Sequence, residues 1–135
     1  MAQYTVDLPC IADAYINNQY PDTNYGNATI LKSSTFTEVG VPNRQEICLR
    51  FNHSSLRLRK KIVSVVLRIY ATQSLYIPDA SWISFLHMSS EWDENEITYN
   101  NRPSDIAGPA RERIANPNIT GSAYNNFTLY NKRSE

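Results

Sequence analysis

Two runs of strict alternation constrain this chain more than any other feature in it. From Val63 to Ala71, the residues Val63, Val65, Leu67, Ile69 and Ala71 share one face, and Ser64, Val66, Arg68 and Tyr70 share the other. Ile47, Leu49 and Phe51 alternate in the same way with Cys48 and Arg50. Side chains on a strand return to the same face every second residue, whereas a helix needs apolar residues three and four apart. Both runs are read as β-strands, with Ile47, Leu49, Phe51, Val63, Val65, Leu67 and Ile69 turned toward a core.

The rest of the chain is read the same way. Nine tyrosines, and asparagine at about one residue in ten, suit short strands joined by turns. Gln3 to Leu8 reads as an edge strand closed by Pro9. Ile11 to Ile16 and Ala28 to Lys32 read as strands on either side of a turn-rich stretch from Asn17 to Asn27, and Ser33 to Asn43 as a polar loop. A turn at Asn52 to Ser55 precedes the second alternating run. Trp82 to Met88 reads as a further strand, Ile97 to Tyr99 as a short β-prone piece, Ala110 to Ala115 as a turn of helix and Asn126 to Asn131 as the last strand. No repeat or linker interrupts the 135 residues, a length that suits one domain. The expected fold is all-β, a single jelly-roll-like β-sandwich over residues 1–135.

Thirteen basic residues balance thirteen acidic ones, so there is no electrostatic footprint for nucleic acid. No apolar run approaches the roughly 18 residues of a membrane helix, so membrane insertion is not expected. Cys10 and Cys48 either pair or stay free, and one potential bridge decides little. The N-terminal residues lack the basic and apolar regions of a secretory signal. Export with a leader removed, or release within a virus particle, is the expectation. Asn27, Asn52, Asn118 and Asn126 open Asn-x-Ser/Thr triplets, which mark surface loops.

No catalytic constellation emerges. His53 and His87 fall in different motifs, and the chain carries no Ser-His-Asp or Cys-His arrangement, zinc spacing or glycine-rich phosphate loop. Glu91, Asp93, Glu94 and Glu96 crowd around Trp92. Paired carboxylates serve glycosidases, but a run of acids on a turn is more often a solvated patch. The expectation is a protein that is not an enzyme.

Several motifs follow one another in a familiar order. Asp13-Ala-Tyr-Ile16 precedes Pro21-x-Thr-Asn-Tyr-Gly26, then Leu49-Arg-Phe51 and Ser54-Ser-Leu56. Ile62-Val-Ser-x-x-Leu-Arg-Ile-Tyr70 and Trp92-Asp-Glu-x-Glu-Ile-Thr-Tyr-Asn-Asn-Arg-Pro103 complete the series. In these motifs the chain resembles the DNRLRE family, over roughly residues 12–103. The resemblance implies a β-sandwich without catalytic machinery, of the carbohydrate-binding type, related to modules found beside alginate-degrading enzymes and appended to a larger secreted or surface protein. The region after Pro103 is short for that family. This suggests a strand edge completed by another chain, and so a subunit of an assembly.

Candidate ligand residues fall in two places. Tyr20 and Tyr25 either stack on sugar rings or pack over the end of the sandwich, and Asn24 between them either bonds a ligand or shapes the turn. Arg57, Arg59, Lys60 and Lys61 form the one basic cluster, either a solvating turn or a contact for an anionic polymer. Asp13 and Asp22 offer oxygen atoms to calcium, but no EF-hand spacing is present, and no cofactor is expected. The leading functional reading is a non-catalytic, surface-displayed module that binds a polysaccharide or cell-surface glycan, with protein subunits as further partners. The alternative is a structural decoration or fibre protein of a phage virion. Either reading places the protein outside the cell or on a virion surface.

Overall fold

The computed structural model describes residues 5–38, 41–54, 56, 61–72, 82–86, 88, 91–103, 112–115 and 119–131. Its seven strands are β1 (Cys10–Asn17), β2 (Ser34–Glu38), β3 (Val41–Phe51), β4 (Ser64–Ala71), β5 (Trp82–Phe85), β6 (Glu112–Ala115) and β7 (Ala123–Asn131). No helix occurs among the described residues, and every ladder is antiparallel. This is the all-β content of the expected sandwich. The sheets run β1-β3-β2, β4-β7 and β5-β6. The chain divides into two compact units, Met1–Leu58 with Met88–Ser104, and Arg59–His87 with Asp105–Glu135.

In the first unit, β3 pairs with β1 on one side and β2 on the other. Ala14 lies opposite Cys48, and Ile16 opposite Glu46, so these side chains share a face. That face is the core. Ala14, Ile16, Cys48 and Ile97 cluster there, Ile16 at 1% exposure, and Met88, Trp92 and Tyr99 pack against them. Burial of each such aliphatic chain contributes about 1.5–3 kcal/mol.

This corrects the sequence expectation for β3. Ile47, Leu49 and Phe51 are only partly buried, whereas Cys48 on the opposite face is buried. The segment around residues 92–99 covers the Cys48 face, so the core lies where the alternation is least apolar. Ile97 is a core residue in a loop rather than in a strand.

In the second unit, Leu67 lies opposite Phe127 and Ile69 opposite Asn125. Phe127 is buried, and its ring lies 5.7 Å from that of Phe85. Leu67 and Ile69 are half-buried, but Val63 and Val65 are 41% and 39% exposed and not part of a core. Among the described residues β4 pairs with β7 alone, and a two-stranded ladder covers little of its own surface. Ser122 takes φ 55° in the turn that opens β7. Asn125 braces that turn, accepting from the Thr120 amide at 2.9 Å and donating to the Thr120 carbonyl at 2.9 Å.

Four segments differ from their expected structure. Ala28 to Lys32 has strand-like composition but forms no strand, while Ser34–Glu38, expected as loop, forms β2 against β3. Thr-Phe-Thr at its centre is β-branched and aromatic, which suits a ladder. Glu112–Ala115 is β6 and not a helical turn, since so short a helix has no cooperative support whereas pairing with β5 supplies ladder bonds. Residues 5–8 are not strand. Gln3, Tyr4, Ala110 and Asn118 lie outside the described residues.

The thiols are settled by register. Cys48 lies opposite Ala14, four positions along β1 from Cys10, or about 13 Å at strand rise. A disulfide needs Cα atoms within about 7 Å. The two thiols therefore form no disulfide with each other, Cys10 being exposed and Cys48 buried.

Candidate functional site

Residues 17–28 leave β1 through a series of turns. The Asn17 side chain accepts the Gln19 amide at 2.9 Å, the Tyr20 amide donates to the Asn17 carbonyl at 3.2 Å, and Thr23 donates to the Tyr20 carbonyl at 3.1 Å. This winding folds the segment back so that Tyr25 stacks on Tyr15, with centroids 4.4 Å apart and planes 16° from parallel. Lys32 sits with its ammonium 6.0 Å from the Tyr15 ring centre, the outer limit of a cation–π contact. Tyr15 is buried, Tyr25 half-buried and Tyr20 59% exposed. Burial pushes the Tyr25 phenol above the usual tyrosine range, and the neighbouring phenols of Tyr15 and Tyr20 add to the shift.

The result is a graded aromatic cluster on the sheet face opposite the core: a buried ring, a ring stacked on it, and an exposed ring beside them, with an exposed lysine at its margin. Aromatic faces complement the apolar C–H faces of sugar rings, and phenols and an ammonium supply hydrogen bonds around them. Next to Tyr15 on this face, Asn17 and Gln45 lie opposite each other, and Ser34 donates to the Gln45 side chain at 2.8 Å. Tyr15 and Lys32 were not singled out as ligand residues in the sequence. Tyr15 alternates with Asp13 and Asn17 along β1, the period-2 signal by which it joins this face.

Asn24 has a different position. Its amide nitrogen donates to the Glu94 carbonyl at 2.9 Å and to the Ile97 carbonyl at 2.8 Å, and its oxygen accepts the Gly26 amide at 3.0 Å. Gly26 lies so close to the Glu94 carbonyl that any Cβ there would overlap the oxygen. Around them Asn100 donates to the Pro21 carbonyl at 2.9 Å and to the Asp22 carboxylate at 2.8 Å, and the Asp13 amide donates to the Glu94 carboxylate at 3.1 Å. The two most distinctive motifs of the sequence thus clasp each other.

The second motif is also braced internally. The Thr98 amide donates to the Asn101 side chain at 2.7 Å, and Asn101 donates to the Glu96 carbonyl at 2.9 Å. Arg102 donates to the Tyr99 carbonyl and lies 3.9 Å over the Tyr99 ring. Between this loop and the start of β1 is an open, polar cleft of about 770 Å³, bordered by Ile11, Arg50, Trp92, Glu94 and Asn101. The Arg50 guanidinium donates to the Trp92 carbonyl at 3.2 Å across it. Asp93, one of the four acids beside Trp92, accepts the Asn95 amide at 2.8 Å.

Of the basic cluster, Lys61 is exposed, and Arg57, Arg59 and Lys60 lie outside the described residues, as does His87. Among the described residues no three His, Cys, Asp or Glu side chains converge as metal ligands, and no helix is long and apolar enough to cross a membrane. No curated protein matches the chain. The family model described as carbohydrate-binding module family 96 matches residues 4–127.

Proposed function

Since the chain belongs to carbohydrate-binding module family 96, we propose that it holds a polysaccharide at the Tyr15–Tyr20–Tyr25 cluster without converting it. The single observation behind this reading is the exposed Tyr20 beside the stacked Tyr25–Tyr15 pair. Tyr15 and the turns fix the position of Tyr25, so little side-chain entropy is lost when a sugar ring packs on the cluster. Lys32 favours a glycan that carries negative charge at this cluster, and the basic run of Arg57, Arg59, Lys60 and Lys61 is a separate candidate contact for the same class of ligand. Asn24 acts in this reading as the residue that sets the loop, through its bonds to Glu94 and Ile97. The order of the motifs resembles that of DNRLRE-type modules, which supports the same reading. The same reading displays the module on a surface outside the cell or on a particle, as one part of a larger assembly.

The test is a binding screen of the full chain against neutral and anionic polysaccharides, alginate included, at low and high salt. Saturable binding that Tyr20→Ala reduces about tenfold, equivalent to about 1.4 kcal/mol, supports the site. Binding undiminished in both Tyr20→Ala and Tyr25→Ala moves the site elsewhere. Absence of binding to every polysaccharide overturns the reading.

A further inference from the structure

The outer face of the β4–β7 ladder carries a second aromatic group that plays no part in the reading above. Tyr70 lies directly opposite Tyr124, and Arg68 directly opposite Asn126. The two tyrosine rings meet edge to face, 5.1 Å apart at 76°, and the Arg68 guanidinium lies 4.1 Å over the Tyr124 ring. All four side chains are exposed, Tyr124 at 60% and Tyr70 at 50%. Val66, one step along the face, is 51% exposed.

Two features separate this group from an ordinary cross-strand pair. The core of this unit is on the other face, where Phe127, Leu67 and Ile69 lie, so these tyrosines are not needed to fill it. Arg68 is the one charge among the described side chains of the outer face, and among the described residues no carboxylate pairs with it. An arginine held flat on an aromatic ring keeps hydrogen-bond donors free in a fixed fork that matches a carboxylate. Beside it, exposed rings offer stacking surface and Asn126 an amide.

We propose that this face is a second saccharide site, and that its ligand is a sugar bearing a carboxylate, such as a uronic acid residue in a chain. The carboxylate pairs with Arg68 while the pyranose packs on Tyr124 and Tyr70. The proposal rests on the carbohydrate-binding reading but concerns a different sheet from the Tyr20–Tyr25 cluster, so the two sites are separable by experiment.

The experiment is an NMR titration of the isotope-labelled full chain with polygalacturonate oligosaccharides, and with a neutral glucan oligosaccharide as control. The expected result is saturable shifts of the Arg68–Tyr70 and Tyr124–Asn126 amides with the uronate, weaker at high salt and absent with the glucan. Arg68→Glu, or the milder Arg68→Gln should the first not fold, abolishes those shifts and leaves shifts near Tyr20 and Tyr25 in place. Shifts confined to residues 17–32 overturn this proposal and leave the first reading standing. Shifts nowhere, with any glycan, overturn both. Broadening of the β4–β7 signals that grows with protein concentration without sugar assigns the face to a second copy, and overturns it also.

Discussion

The side-chain amide of Asn24 donates to the backbone carbonyl of Glu94 at 2.9 Å, joining two segments 70 residues apart in the chain. The same nitrogen reaches the Ile97 carbonyl, and Ile97 is part of the core. The loop that presents the tyrosines and the loop that closes the sheet are therefore held by one residue.

Loss of that residue has a large effect on stability. Asn24→Ala leaves two part-buried carbonyls without their donor and is expected to cost about 2 kcal/mol. Gly26→Ala places a methyl group against the Glu94 oxygen and is expected to cost about 3 kcal/mol. Urea unfolding of the purified variants measures both. A Gly26→Ala protein as stable as wild type contradicts the close approach described here.

Tyr20 and Tyr15 separate binding from folding. Tyr20→Ala removes an exposed ring and is expected to leave unfolding within about 0.5 kcal/mol of wild type. Tyr15→Ala empties the base of the cluster and is expected to cost about 3 kcal/mol. Paired measurement of melting temperature and glycan affinity tells them apart: affinity alone falls in the first variant, and both fall in the second.

The Tyr25 phenol gives the cluster a pH signature. Its raised pKa means that the fold favours the neutral form. The associated stability is intact below the unfolded-chain pKa near 10 and is lost as pH rises through the higher folded value. Absorbance titration of the tyrosinate band is expected to show a late-ionising component that is absent in Tyr25→Phe. Stability measured across the same range falls less steeply in that variant. If its titration curve differs from wild type only by the loss of one ordinary tyrosine, Tyr25 is not the late-ionising group.

Thiol reactivity follows exposure. A disulfide-exchange reagent is expected to modify Cys10 quickly and Cys48 only when the protein unfolds. One fast equivalent under native conditions and two in denaturant is the expected stoichiometry. Two fast equivalents show that the Ala14–Cys48 face opens readily.

The strands β3 and β4 were legible because an apolar residue stands at every second position of each. Which face of β3 holds the core was not. Ile47 and Leu49 are the more apolar set, yet the loop carrying Trp92 and Ile97 packs on the side of Cys48, and period-2 patterning carries no record of a cover supplied from elsewhere in the chain. The exchange of strand between Ala28–Lys32 and Ser34–Glu38 is of the same kind, since both have strand-like centres and it is the second that pairs with β3. Of the site, Tyr20 and Tyr25 were visible as aromatics around a turn. The stacking partner Tyr15 came only with the winding of residues 17–28, and the carbonyls that hold Asn24 lie in a motif 70 residues on.

The clasp also has a timetable. The first unit is assembled from Met1–Leu58 and Met88–Ser104, with part of the second unit translated between them. At 5–20 residues per second, the 46 residues from Phe51, the end of β3, to Ile97 take roughly 2–9 s to synthesise. During that interval β1, β2 and β3 are already made while Ala14, Ile16 and Cys48 have no Ile97 to cover them. The nascent chain thus carries an open apolar face for seconds, a window in which a chaperone, or a neighbouring nascent chain, meets the sheet before its own loop arrives.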